Sequence, residues 1–392
     1  MTQIIFDTRS PKEYEYSHIP GAISCPILDN IERHIVGLTY KKEGQTEAIK
    51  KGFEIFFPKF ETFIDNILKN KDKKIIICCA RGGLRSKIVV DLFKNKNRIL
   101  ELAKESKADI DFKSFEKKLD NLAKLEKERK IDISQYKGGY KEYRKVVLDE
   151  LSHFKQNFKF ITLYGLTCTR KTEILKKLDK EGYPVLDLEE LAQHRASLFG
   201  GVGLIPRSQK MFENLLLEKL KELNKNKFVF VEGESQKIGK VLIPNNIFKE
   251  MHNKNTIKIL IKDTIENRSK KTVQEYFDTE QKIAQIREII PKLNVFLGNK
   301  ATEDLLKQMD EKNYLFVSQY LLEKYYDIKY DLRNEKFDAE INTKDIEGFE
   351  YPYKKSQNPQ KSTLNLCENG GYSKSSIHKL KEIYSKGTSE QS

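Results

Sequence analysis

Lys74-Ile75-Ile76-Ile77-Cys78-Cys79-Ala80-Arg81-Gly82-Gly83-Leu84-Arg85-Ser86 is the stretch that decides the fold. Three consecutive isoleucines followed by cysteine make an apolar run too short for a helix, which predicts a buried parallel strand. It runs into a loop with two adjacent glycines, and a helical pattern follows through Phe93. Strand, glycine-bearing loop and helix form an α/β unit whose ligand site lies at the strand's carboxyl end. Successive N–H groups in such a loop converge on one anionic atom, and the start of the helix adds to their field. Cys79 is therefore expected to carry a thiolate and act as a nucleophile, with Arg81 and Arg85 adding positive charge. Gly82, Gly83, Leu84 and Ser86 complete this anion loop. Cys78, one position earlier and on the other face of the strand, reads as a packed residue.

Upstream of this unit, Ile4-Ile5-Phe6 closes on Asp7, and Ser10-Pro11-Lys12-Glu13 supplies an N-cap, a proline at the first helical position and an acidic first turn. Ile19-Pro20-Gly21-Ala22 is a turn. Helical apolar spacing then runs over about residues 30–69 and breaks at Pro58. Downstream, residues 94–131 are rich in lysine with a helical leucine pattern, which predicts an exposed helical insertion. A first domain over residues 1–135 follows, then a connecting helix within 136–157 that opens after the turn Gly138-Gly139.

A second α/β cycle starts at Phe158-Lys159-Phe160-Ile161-Thr162-Leu163-Tyr164 and enters Gly165-Leu166-Thr167-Cys168-Thr169-Arg170-Lys171-Thr172. This is a P-loop pattern in its proper context, after a strand and before a helix, with Arg170 where a glycine is expected. Gly165, Thr167, Arg170 and Lys171 would grip phosphate oxygens, and Thr172 would ligate Mg²⁺ if a metal is used. Short strands near residues 184–188, 228–232 and 257–262 alternate with helices, so residues 158–333 read as a P-loop-like domain ending in helices. Glu232 and Glu234, at the end of the strand near 228–232, stand where an acidic partner of such a site lies. Periodicity fades after Arg333, and 334–392 reads as a poorly ordered extension.

The composition agrees with a globular chain of this size: 38% of the 392 residues are hydrophobic, enough to bury two cores. The 72 Lys and Arg exceed the 58 Asp and Glu, a formal charge of +14 that attracts polyanions such as nucleic acid. Five cysteines without a C-x-x-C pair argue against structural zinc and a disulfide framework. No apolar run approaches the ~20 residues that cross a bilayer, so the expectation is a soluble, cytoplasmic protein with no membrane association.

Asp7-Thr8-Arg9-Ser10-Pro11-Lys12-Glu13-Tyr14, His18-Ile19-Pro20-Gly21-Ala22 and the loop from Cys79 to Arg85 together resemble a rhodanese domain, whose loop cysteine carries a persulfide. The order of a rhodanese-like loop and a P-loop domain resembles the tRNA 2-selenouridine synthase family. So do Ile31-Glu32-Arg33-His34-Ile35-Val36-Gly37-Leu38-Thr39-Tyr40-Lys41, Asp187-Leu188-Glu189, His194-Arg195-Ala196-Ser197-Leu198-Phe199-Gly200 and Glu232-Gly233-Glu234-Ser235. Tyr326-Asp327-Ile328-Lys329-Tyr330 resembles the family's closing motif. This chain departs from the family pattern at Cys168 and Arg170, where glycine is usual.

The resemblance implies a selenotransferase acting on tRNA. It would replace the sulfur of wobble 2-thiouridine with selenium from selenophosphate, through an S-geranyl intermediate made from geranyl diphosphate. Cys79 would serve selenium delivery and the P-loop geranyl transfer, with His194, Arg195, Phe199, Glu232 and Glu234 as further site candidates. The residues leave two other readings open. One is a rhodanese-type sulfurtransferase fused to an ATP-using P-loop kinase or nucleotidase. The other is a tRNA-binding module without catalysis. Neither the oligomeric state nor the need for a metal is legible in the residues.

Overall fold

The computed structural model describes residues 2–233, 235–329, 335–343 and 381–385. The chain divides into two compact units, Met1–His153 with Ser208–Glu218, and Phe154–Arg207 with Lys219–Ser392. Each carries its own parallel sheet with helices, the α/β architecture expected.

In the first unit the strands are β1 (Gln3–Asp7), β2 (Ile23–Ser24), β3 (Lys74–Cys78) and β4 (Ile133–Gln135), paired in the order β2-β1-β3-β4, all parallel. The isoleucine run makes β3 an inner strand, with Ile75 and Ile77 fully buried. Ser10 and Pro11 start the helix Pro11–Tyr16 as expected, and Ser10 N donates to Glu13 Oε2 at 3.1 Å. Phe53, Phe56, Phe60, Phe63, Ile64 and Ile67 pack with the sheet in one apolar cluster.

The lysine-rich stretch 94–131 corrects the expectation of an exposed insertion. Its helices Lys96–Glu105 and Phe112–Arg129 are amphipathic, and Ile99, Leu100, Phe115, Leu119 and Leu122 join the same cluster. Phe115 meets Phe53, Phe57 and Phe60 edge-on, with ring centroids 5.7–6.1 Å apart. The lysines cover the other face, and the segment delivers β4 to the sheet.

The helix expected as a connector, Gly139–Ser152, clusters with the first unit. Its first turn docks on the cysteine loop: Tyr140 N donates to Cys79 O at 2.8 Å and Lys141 N to Ala80 O at 2.9 Å. Gly139 makes that approach feasible. Its φ is +63°, and a Cβ there would stand 2.4 Å from Cys79 O and 2.3 Å from Gly82 N.

In the second unit β5 (Lys159–Tyr164), β6 (Val185–Leu186), β7 (Phe228–Glu232), β10 (Ile257–Lys262) and β11 (Ala339–Asn342) form a parallel sheet in the order β11-β10-β5-β7-β6. A small antiparallel hairpin of β8 (Lys237–Ile238) and β9 (Val241–Leu242) follows β7. The β11 strand corrects the reading of 334–392 as an extension, because Ile341 is buried in the sheet's core. Residues 381–385 are helical, and the Tyr384 ring stacks on Phe230 at 6.0 Å. Residues 334, 344–380 and 386–392 lie outside the described residues. Helices from Ile265–Tyr276 to Tyr314–Leu321 enclose a second apolar cluster around Phe199, Ile290 and Leu321. Among the described residues no helix is long and apolar enough to cross a membrane.

Candidate active sites

The first site sits at the carboxyl end of β3. Cys79 is 3% exposed, yet it lies outside the apolar clusters that take Cys78 and the isoleucines. Ser86 Oγ lies 2.9 Å from Cys79 Sγ and donates to it. Burial pushes the Cys79 thiol up, but the Ser86 hydroxyl and the backbone N–H groups of Ser86, Arg81 and Gly83 outweigh it. The thiol is held below its ordinary value. Cys78 behaves in the opposite way. Packed with Ile19, Ala22 and Tyr140, it is pushed by burial up to about 12.

The two arginines of the loop act differently from the expectation. Arg85 NH1 donates to Glu13 Oε2 at 2.9 Å, so its charge is paired, and Arg81 enters the thiol's environment through its backbone N–H. The thiolate field comes from oriented amides and one hydroxyl. Leu84, also expected in the loop, is 38% exposed. Asp7 and Arg9 are structural: they form a buried ion pair at 2.6 Å, and the Arg9 guanidinium lies 4.0 Å from the Tyr140 ring centroid. His18 stacks on Tyr14 at 3.9 Å in the following turn.

The second site is the loop between β5 and the helix Lys171–Lys180. Gly165 has φ +156°, and a Cβ there would come within 2.6 Å of Ile261 O and Thr169 Oγ1. Cys168 and Arg170 both adopt the left-handed conformation, with φ of 63° and 65°. Those are the two positions where the expected pattern has glycine, so the backbone keeps the glycine path at a cost in strain. Lys171 Nζ curls over the loop to donate to Gly165 O at 2.8 Å. Thr172 Oγ1 donates to Glu232 Oε1 at 2.6 Å and lies 3.2 Å from Glu189 Oε2. Burial pushes the Cys168 thiol up, which leaves it a neutral packing group beside Thr272.

Two family models match the chain: the rhodanese-like domain over residues 1–145 and the tRNA 2-selenouridine synthase AAA domain over residues 158–297. A tRNA 2-selenouridine synthase of Nitrosomonas europaea is 29% identical over 314 residues, 78% of this chain and 71% of its own length. One from a Sulfurovum species is 26% identical over 387 residues, 89% of this chain and 95% of its own. This chain belongs to the tRNA 2-selenouridine synthase family. A gluconokinase structure from Sinorhizobium meliloti covers 48% of this chain and 84% of its own at 10% identity, with a TM-score of 0.24, too low to bear on the fold.

Of the further candidates drawn from the family's motifs, Arg195 lines the P-loop cavity together with Thr167, Arg170, Lys171 and Thr172. Its guanidinium lies 4.9 Å from the Tyr276 ring centroid. Phe199 lines an apolar pocket that shares Thr167, Cys168 and Tyr276 with that cavity. His194 is not brought to the phosphate loop. Its ring packs against the backbone of Gly239 in the β8–β9 turn, and burial holds it below the usual imidazole value. Glu234 lies outside the described residues.

Four residues of the second site were not among the site candidates, although Glu189 and Asp327 lie in segments that resemble the family's. Glu189 accepts from Ala196 N at 3.0 Å while reaching Thr172. Arg268 donates through Nε to Thr167 O at 2.8 Å and is held bidentate by Asp327. Asp263, whose side chain is fully buried, places Oδ2 3.7 Å from Arg170 Nε. Asp327 stands in the family's closing motif, which is the one signal that pointed toward this brace.

Proposed function

We propose that this chain is a tRNA 2-selenouridine synthase that works in two steps, each assigned to one of its units. In the first, the sulfur of wobble 2-thiouridine attacks the allylic carbon of geranyl diphosphate, and the carbon–oxygen bond breaks as diphosphate leaves. The loop over residues 165–172 would take the developing diphosphate charge on its amides, Lys171 and Arg170. Lys171 Nζ now satisfies loop carbonyls and would exchange them for phosphate oxygens. Thr172 Oγ1 with the Glu232 and Glu189 carboxylates is a hard-oxygen set of the kind Mg²⁺ takes, so those residues would hold that ion.

In the second step the selenium of selenophosphate, held at the Cys79 loop, attacks C2 of the alkylated ring, and water then cleaves the phosphorus–selenium bond to release phosphate. Alkylation has turned the sulfur into a better leaving group, and it departs as geranylthiolate. The observation that carries this reading is the Cys79 thiol itself, lowered by the Ser86 hydroxyl and three amides in a chain that also holds a phosphate loop. Those amides suit an anionic sulfur or selenium atom.

The experiment combines the purified chain, tRNA bearing 2-thiouridine, geranyl diphosphate and selenophosphate, with each donor omitted in turn, and weighs the digested nucleosides. Omitting selenophosphate should leave the S-geranyl nucleoside, and omitting geranyl diphosphate should leave 2-thiouridine. Selenation without geranyl diphosphate would refute the two-step scheme. ATP turnover without tRNA, together with thiosulfate-to-cyanide transfer, would favour the fused sulfurtransferase and kinase instead.

A further inference from the structure

The first unit contains a groove of about 660 Å³ that the two-step scheme does not use. Its floor is apolar, formed by Leu28, Ala48, Phe53 and Phe56, and its wall is the helix Asn30–Glu43, which carries the family segment over residues 31–41. Three apolar side chains stand open to it: Leu38 at 39%, Tyr40 at 57% and Leu84 at 38% exposure. Leu84 and Arg85 belong to the Cys79 loop and also line the groove, so the groove opens next to the reactive thiol's cradle. Its rim is basic. Arg33 and Arg85 share the single carboxylate of Glu13, at 3.8 and 2.9 Å, and Lys41 adds a further cation, which leaves the rim net positive.

Two glycines, Gly37 and Gly52, line the groove from helices, and a Cβ on either would meet nothing within 4 Å. The volume is therefore open space. It falls in the range of sites that take small apolar ligands. The rim offers point charges without a glycine-rich amide nest, which suits the spaced phosphates of RNA better than a compact diphosphate.

From these features we infer that the groove is the seat of the S-geranyl group of the alkylated wobble nucleoside, with the neighbouring RNA phosphates on Arg33, Lys41 and Arg85. This rests on the two-step reading. It gives that reading a means of recognising its own intermediate: the apolar chain, absent from 2-thiouridine, anchors the alkylated base where Cys79 works, and the phosphate loop keeps the task of gripping the donor.

The test is the affinity of the full chain for a labelled anticodon stem-loop bearing S-geranyl-2-thiouridine, compared with the same RNA bearing 2-thiouridine, by fluorescence anisotropy without selenophosphate and at one salt concentration. The wild-type chain should prefer the geranylated RNA by about tenfold or more. Gly52→Phe should fill the groove and remove the preference while leaving affinity for the unalkylated RNA within about twofold. Gly52→Ala should keep the preference, since its methyl group fits. Leu38→Gln, at an exposed position that leaves the core intact, should weaken it. A wild-type chain without preference overturns the inference, and so does a folded Gly52→Phe chain that keeps it. Formation of the S-geranyl nucleoside from geranyl diphosphate is weighed in parallel. Its absence refutes the two-step reading, whereas its presence with an unaltered preference in Gly52→Phe refutes the groove alone.

Discussion

Ser86 Oγ stands between Gln135 and Cys79: it accepts from Gln135 Nε2 at 2.7 Å and donates to Cys79 Sγ at 2.9 Å. Gln135 comes from β4 and Ser86 from the helix after the loop, so the short edge strand orients the hydroxyl that lowers the thiol. The same amide nitrogen reaches Gly82 O at 2.8 Å, which ties the loop's glycine to the sheet. A polar relay of this kind works only when each member has its partner.

Ser86→Ala removes the side-chain donor to the thiolate and leaves the amides. A hydrogen bond to a charged group is worth enough to raise the Cys79 thiol by about one pH unit. The pH dependence of Cys79 carboxymethylation should shift upward by that amount, and selenation at neutral pH should slow. Gln135→Leu should shift the profile in the same direction by less.

Gly139→Ala places a methyl group against Cys79 O at a backbone conformation that alanine adopts poorly. Urea denaturation should show a loss of about 2 kcal/mol or more, and the Cys79 alkylation profile should move with it, because the helix that docks on the loop is displaced.

Glu13→Gln deletes the carboxylate shared by Ser10 N and Arg85. Burial pushes the Glu13 carboxyl up, but Arg85, Ser10 N–H and Arg33 together hold it below its ordinary value. A depressed folded value means that the stabilisation is present above the unfolded carboxyl's range and is lost as pH falls through the folded value. The pair is partly exposed, so about 1 kcal/mol is expected at pH 7. Urea midpoints of wild type and variant should differ at neutral pH and converge in acid.

Arg170→Gly should separate stability from activity. Glycine takes φ near +65° without strain, so the thermal midpoint should rise, by the equivalent of about 1 kcal/mol. Geranylation should fall through a higher KM for geranyl diphosphate, because a guanidinium that Asp263 steadies is gone.

Much of both sites was legible because the decisive signals are local. The isoleucine run, the paired glycines and the Lys171-Thr172 ending each act over a few residues, and Arg170 stands at a glycine position of the pattern, which matches its left-handed backbone. The lysine-rich stretch misled because composition records the solvent face of an amphipathic helix, while Phe115 and Leu119 decide where it packs. β4 and β11, three and four residues long, carry no pattern of their own and exist through their neighbours in the sheet. The brace of Arg268 joins Thr167 across 101 residues of sequence and Asp327 across 59, separations that no window can read.

The most direct test of the division of labour follows nucleosides by mass spectrometry in Cys79→Ala and Lys171→Ala, each given both donors. Cys79→Ala should accumulate S-geranyl-2-thiouridine and form no 2-selenouridine. Lys171→Ala should leave 2-thiouridine largely unaltered, yet selenate tRNA that has been geranylated beforehand. Equal loss of both steps in both variants would contradict the account.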